Sequence, residues 1–252
     1  MHLDPQAEAA GVKLIAHDAV GSTNAEAIAL ARVGERGPLW VTARSQSAGR
    51  GRRGAPWVSE PGNLYASLLV TGLPPARAPE LAFVSALAVH DAIGTQATQL
   101  PLTLKWPNDV LLAGAKVAGI LIEGEGGPPL AVAVGIGVNC ISHPSETAYP
   151  ATDLAAAGMA VMAETLFAGL SGAMLRRLAQ WNAGAGFAQT RADWLARASG
   201  VGEPIRVRLP DRELDGHFAG LDASGHLLLE QAGGAIEAIA AGEVQPLNAR
   251  GA

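Results

Sequence analysis

The sequence predicts an α+β fold, a mixed sheet with helices, followed by a small β-barrel. Two features carry this reading. Between positions 12 and 200, apolar strand-like runs interleave with helix-like segments that have one apolar face. From Gly202 the texture changes to short alternating strands separated by Pro210-Asp211, Ala223-Ser224-Gly225 and Gly233-Gly234 turns, which reads as a separate barrel over positions 201–248. A chain of 252 residues is long enough for a main domain with such an appendage, and 49% hydrophobic against 16% charged residues is an ordinary globular balance.

Taken in order, positions 1–11 are polar and Ala-rich and are expected to form a flexible lead-in. A strand at 14–17 leads into Gly21-Ser22-Thr23-Asn24 and an Ala-rich helix to Arg32, with Thr23 and Glu26 spaced as a capping box. Ser22, Thr23 and Asn24 read either as a helix cap or as hydroxyls and spare N–H groups offered to a polar ligand head. Strands at 40–43 and 63–70 flank the stretch from Arg44 to Trp57. A helix over 80–93 carries Leu81, Val84, Leu87, Ala88 and Ala92 on one face and reads as scaffold. The run at 102–106, Pro107-Asn108-Asp109, 110–112, a Gly114 turn and 116–123 reads as a strand, a break and a hairpin. Positions 130–138 form an apolar strand whose Gly135 and Gly137 admit either a flat ligand ring or neighbouring backbone, and helices near 163–182 and 189–198 back the sheet.

The loop after the second strand contains the strongest chemical signal. Arg50, Arg52 and Arg53 alternate with Gly49, Gly51 and Gly54, so three guanidinium groups stand on a backbone with little steric reason to order alone. Arg forks bind carboxylates or phosphates bidentately, and glycine lets backbone N–H groups approach the same oxygens. A solvated loop and a nucleic-acid phosphate contact are the competing readings. The net charge of −5, from 18 basic and 23 acidic residues, supplies no global positive field for nucleic acid, so the loop is a local feature. Trp57, at its end, is either core or a lid over a ligand.

The chain has fifteen Arg but three Lys, and two of these, Lys105 and Lys116, flank Asn108 and Asp109. Pro107 is expected to turn Asn108 and Asp109 out of the ladder, leaving an amide and a carboxylate beside two ammonium groups. Such a set suits phosphate chemistry, in which Lys neutralises developing charge and Asp with Asn holds Mg²⁺ or orients a nucleophile. An Asx turn with surface salt bridges is the alternative. A lone Cys140 forms no internal disulfide, and the start lacks a basic, apolar leader, so a cytoplasmic location with no membrane span is expected.

Gly21-Ser22-Thr23-Asn24, the loop from Gln46 to Trp57, Lys105-Trp106-Pro107-Asn108-Asp109, the run from Lys116 to Glu123 and Gly135-Ile136-Gly137-Val138-Asn139 together resemble the biotin protein ligases, over about His17 to Pro246. The resemblance implies a catalytic domain similar to class II aminoacyl-tRNA synthetases over 12–200 and an SH3-like barrel over 201–248. It implies activation of biotin by ATP, with Mg²⁺, to biotinyl-5′-AMP, and transfer to one lysine of a biotin carboxyl carrier domain. Lys116, Arg52 and Asp109 would then be catalytic, and Ser22, Thr23, Asn24, Gln46, Gly49, Arg50, Trp57, Lys116 and Gly119 would surround biotin. Arg50, Arg52, Arg53, Lys105, Asn108 and Asn139 would face ATP, with Asn108 and Asp109 nearest the metal and Asp109 nearest the carrier lysine. The chain resembles the monofunctional type without an N-terminal DNA-binding domain, so specific DNA binding is not expected, and a homodimer is compatible with it. A lipoate or octanoate ligase on the same scaffold, and a non-catalytic biotin or nucleic-acid binder, are the rival readings. The ureido-directed trio Ser22, Thr23 and Gln46 favours biotin over lipoate.

Overall fold

The computed structural model describes residues 1–96, 99–126, 130–147 and 149–247. Its main body is a seven-stranded mixed sheet in the order β1-β2-β3-β7-β6-β5-β4. The strands are β1 (Lys13–Val20), β2 (Leu39–Gln46), β3 (Leu64–Leu73), β4 (Leu102–Lys105), β5 (Asp109–Leu112), β6 (Ala115–Glu125) and β7 (Leu130–Val138). β1 and β2 run parallel and the remaining neighbours antiparallel, which makes the sheet mixed.

Strand alternation sorts the two faces. Leu39 and Val41 of β2 pack with Ala27 and Ile28 of α2 (Thr23–Arg32) on one side. Trp40 points to the other side, where its ring meets Phe167 edge-on at 5.4 Å. Phe167 belongs to α4 (Ala163–Trp181), which with α3 (Glu80–Gln96) and α5 (Phe187–Leu195) covers that face and encloses the main core.

The remaining five strands, β8 (Pro204–Arg208), β9 (Glu213–Leu221), β10 (Leu227–Glu230), β11 (Ile236–Ile239) and β12 (Glu243–Pro246), form an antiparallel sheet in the order β11-β10-β9-β8-β12. This unit shares apolar core with the main body, since Phe218, Leu227 and Leu229 belong to the same buried cluster as Phe83 and Phe187. Trp106 Nε1 donates to Gly225 O at 3.1 Å, and Gly225 has a φ of +84° and room for no side chain, because a Cβ would lie 2.8 Å from the Phe83 ring. The turn is therefore glycine for both conformation and contact.

Several expectations differ from the structure. The segment at 1–11 contains α1 (Pro5–Ala9), capped by Asp4 and tied to α4 by the Asp4 N–H donating to Ser171 Oγ, with Ala7 fully buried. Ala7, one cap and the partial packing of Met1 and Leu3 against the core anchor it, a sparse pattern that does not separate from a polar tail by sequence. Thr23 is not the cap of α2: Ser22 holds that position without a side-chain bond, and Thr23 gives its N–H and hydroxyl to Gln46. Asp109 is not turned out of the ladder but starts β5, opposite Lys105 and Gly119, while Asn108 sits in the turn with Trp106 and Pro107. β12 escapes the pattern because only Val244 of its four residues is buried. Position 248, the expected end of the barrel, lies outside the described residues.

Arg177 joins α3, α4 and α5. It donates to Asp91 at 2.7 Å and to Asp193 at 2.7 Å. Burial alone would raise the Asp91 pKa, yet His90 and the Arg177 guanidinium hold it down at about 2. A carboxylate depressed in the folded state stabilises the protein above its unfolded pKa and loses that contribution as pH falls through the folded value. Arg177→Gln should therefore be less stable than wild type by about 1 kcal/mol at pH 7, as for other partly exposed ion pairs. In urea titrations the gap should narrow between about pH 4 and pH 2. A deficit constant over that range would contradict the assignment.

Candidate active site

The ends of β2, β5, β6 and β7, the N-terminus of α2, the loop after β2 and the tip of the C-terminal sheet enclose a cavity of about 450 Å³. Every site residue named from the sequence except Gly49 lines it. Gly49 lies behind it, where a Cβ would come within 2.6 Å of both Ser59 Oγ and Trp57 O, so it is needed for the loop to fold back.

One end is neutral and densely hydrogen-bonded. Gln46 Oε1 accepts from the Thr23 N–H at 2.8 Å and Thr23 Oγ1 at 3.1 Å, while its Nε2 donates to Ser59 Oγ at 2.9 Å. Ser67 Oγ lies 2.7 Å from Thr23 Oγ1 and 2.6 Å from Asn24 Oδ1. Asn24 Nδ2 donates to Glu123 Oε2 at 2.7 Å, and Glu123 Oε1 receives Arg50 at 3.0 Å. Ser22, Thr23 and Asn24 are nearly fully buried. Buried polar groups must be paired, and this chain of side chains pairs Thr23 and Asn24 across four elements.

The other end is charged. Lys116 Nζ is 2.7 Å from Asp109 Oδ1, an ion pair across neighbouring strands. Lys105 is 8% exposed, with Nζ 3.4 Å from the centre of the Tyr149 ring. Burial lowers the Lys105 pKa, against which the nearby Asp109 and Glu243 carboxylates act. Arg52 donates to Asn108 Oδ1 at 3.0 Å and to Gly242 O at 3.0 Å, so the loop reaches the C-terminal sheet. Its pKa is lowered, chiefly by burial. The three arginines do not converge on one point. Arg50 is engaged by Glu123 and Arg52 by Asn108, whereas Arg53 stands exposed at the rim with a φ of 56°, a left-handed conformation that costs a non-glycine residue about 1 kcal/mol. Asn139 closes the floor, donating Nδ2 to Thr152 O at 3.0 Å. The Cys140 thiol beside it is fully buried and pushed up to about 12, which keeps it protonated and unreactive.

Trp57 does not join the buried core. It is half-buried, its indole lying across β6 and β7, with Lys116 Nζ 5.4 Å from the ring centre. Two glycines make room: a Cβ on Gly137 would sit 2.5 Å from the ring, and one on Gly119 would sit 3.0 Å from it. Gly135 makes room for the Asn24 amide, 2.5 Å from where its Cβ would be. The space opened by Gly135 and Gly137 is therefore filled by side chains of this chain.

Sequence reading missed Ser59, Ser67, Tyr149 and the pairing role of Glu123. The two serines and Tyr149 carry no motif of their own, and Glu123 reads as the end of a strand until the topology brings Arg50 and Asn24 to it.

The cavity combines a neutral polar end, a basic end and the Trp57 indole across β6 and β7, and the Biotin/lipoate A/B protein ligase family matches residues 29–139, with the Biotin protein ligase C terminal domain matching residues 200–245. The chain is 46% identical over 218 residues to the biotin--[acetyl-CoA-carboxylase] ligase of Paracoccus denitrificans, covering 82% of this chain and 90% of that protein. The corresponding ligase of Mycobacterium tuberculosis is 34% identical over 89% of this chain and 85% of its own length. The solved structure of the biotin protein ligase of Aquifex aeolicus in complex with biotin and ATP superposes with a TM-score of 0.78 at 28% identity, covering 92% of this chain and 97% of that one. The chain belongs to the biotin protein ligase family.

Trp40, Trp106, Trp181 and Trp194 are all nearly fully buried, so collisional quenching of tryptophan fluorescence reports mainly on Trp57. Gly137→Ala should displace the indole, an overpacking that costs about 1–3 kcal/mol in a well-packed core. The quenchable fraction should rise while far-UV circular dichroism stays unchanged. Unaltered quenching would show that the indole does not rest on Gly137.

Proposed function

We propose that the cavity binds biotin with its ureido head at the Thr23–Gln46 end and its carboxylate towards Lys116, with ATP at the basic end. The enzyme is an ATP-dependent biotin ligase, activating biotin to biotinyl-5′-AMP and transferring it to a protein lysine. The observation that carries the orientation is the separation of the cavity into a neutral hydrogen-bonding end and an end where Lys105, Lys116 and Arg52 gather. A ureido ring offers donors and acceptors without charge, which suits the first, and a carboxylate meeting a triphosphate suits the second.

In the first step a biotin carboxylate oxygen attacks the α-phosphorus, the bond to the β-phosphate oxygen breaks, and pyrophosphate leaves. Lys116 and Arg52 hold the reacting anions together and neutralise charge that develops in the transition state. In the second, the carrier amine attacks the acyl carbon, the bond to AMP breaks, and Asp109 takes the amine proton. Asp109 first holds Lys116 in place and serves as proton acceptor once the adenylate draws that lysine away.

Mg²⁺ fits as an ion carried in by the nucleotide. Asn108 Oδ1 is engaged by Arg52 and Asp109 Oδ1 by Lys116, so these oxygens form no closed cage, and Mg²⁺ keeps phosphate and water ligands where protein donors are few. When bound it would lower the charge of the departing phosphates. Asn108 and Asp109 are the residues that would hold it. The acceptor is a biotin carboxyl carrier domain, and the location is cytoplasmic; no helix of the described residues is long and apolar enough to cross a membrane.

Isothermal titration should show binding of biotin and none of lipoate; the reverse would make the enzyme a lipoate ligase. Lys116→Ala should slow pyrophosphate release roughly a hundredfold, the effect of removing about 3 kcal/mol of transition-state stabilisation. Near-normal single-turnover adenylation by the folded variant would remove Lys116 from the mechanism. Asp109→Asn should still form biotinyl-5′-AMP but pass it slowly to the carrier, whereas a metal ligand should already fail at adenylation. Normal transfer from preformed adenylate would exclude Asp109 as the proton acceptor.

A further inference from the structure

Asn63 stands just before β3 and outside the cavity, and it is only 5% exposed. Its amide oxygen accepts from three consecutive backbone N–H groups, those of Cys140 at 2.8 Å, Ile141 at 3.0 Å and Ser142 at 3.3 Å. Its Nδ2 donates back to Ser142 O at 2.9 Å and lies 3.3 Å from Ser142 Oγ. One side chain thus fixes the turn by which the chain leaves β7. Three successive N–H groups pointing at one oxygen form a concave nest that a turn does not hold without an acceptor.

That turn launches the segment which brings Pro144, Thr147 and Tyr149 to the cavity. Its far end is already fixed, because Lys116 N–H donates to Pro150 O at 2.7 Å and Thr152 N–H to Lys116 O at 2.9 Å. Tyr149 lies on Lys105 at the basic end, and among the described residues none of the segment's bonds reaches Thr23 or Gln46. Packing adds a second tie: Ile141 sits on Gly62, where a Cβ would fall 2.2 Å from its Cδ1, so the residues closing the arginine loop and those opening this segment meet at one point.

We propose that Asn63 is a positioning residue for the nucleotide end of the site, setting the path of the segment after β7 without touching either substrate. It rests on the assignment of the basic end to ATP. Removing the amide frees three N–H groups at the start of the segment and leaves the Gln46–Thr23 network intact, so the effect falls on one substrate.

The test uses the full-length protein with Asn63→Ala and Asn63→Asp, measuring KM for ATP and for biotin by pyrophosphate release, with hydrogen exchange over 139–147 and 47–57. Asn63→Ala should raise KM for ATP tenfold or more, change KM for biotin less than threefold, and speed exchange in 139–147 alone. Asn63→Asp keeps the acceptor oxygen and loses the donor, so its KM for ATP and its exchange should fall between wild type and Asn63→Ala. It also carries the test if Asn63→Ala does not fold. Equal shifts in both KM values, no shift in either, or an Asp variant as impaired as the Ala variant would each overturn the proposal. Should the wild type release no pyrophosphate with biotin and MgATP, the functional reading fails, and exchange with and without ATP still decides whether Asn63 orders the segment.

Discussion

Everything in this molecule has to accommodate an excess of positive charge inside a half-enclosed cavity. Five basic side chains, Arg50, Arg52, Arg53, Lys105 and Lys116, line it with two carboxylates, Asp109 and Glu243, in a chain whose net charge is −5. Desolvating a cation is costly unless something polar or anionic meets it. Each partly buried cation has a partner within the protein: Asp109 for Lys116, the Tyr149 ring for Lys105, and Asn108 with the Gly242 carbonyl for Arg52, while the more exposed Arg50 pairs with Glu123. A carboxylate joined to a phosphate is the ligand chemistry that completes such a set.

The architecture follows from this need. Bringing the cations together requires β5 and β6 to stand side by side, so that Asp109 and Lys116 meet across neighbouring strands, and requires the C-terminal sheet to lend a backbone carbonyl to Arg52. Laying the Trp57 indole on the adjacent surface requires strands without side chains, hence Gly119 and Gly137 beneath it. The neutral end is built differently, from a single hydrogen-bonded chain running from Ser59 through Gln46, Thr23, Ser67 and Asn24 to Glu123 and Arg50. Glu123 is where the two ends join, since one of its oxygens serves Asn24 and the other Arg50.

Much of this was legible because the chemistry is concentrated in short runs. The Arg and Gly alternation between Gly49 and Gly54, the two lysines around Asn108 and Asp109, and the polar residues before α2 are local patterns, and the fold brings them into one cavity. What was not legible depends on partners distant in sequence. Asn63 looks like an ordinary polar residue before a strand, and the bonds that give it a role reach Cys140, Ile141 and Ser142, more than seventy positions away. Thr23 and Glu26 match a capping box by spacing, but Gln46 competes successfully for the Thr23 N–H and hydroxyl. The helix at Pro5–Ala9 is stabilised by its docking on α4 rather than by its own propensity, which is why a polar lead-in was the natural reading.

On the proposed function, the basic end unites a carboxylate with a nucleotide phosphate. Native mass spectrometry of the wild-type protein incubated with biotin and MgATP, without carrier, measures this directly. A complex carrying the mass of biotinyl-5′-AMP is expected, with pyrophosphate released in step with its formation. A protein that emerges with biotin or ATP bound separately and with no pyrophosphate released would contradict that function.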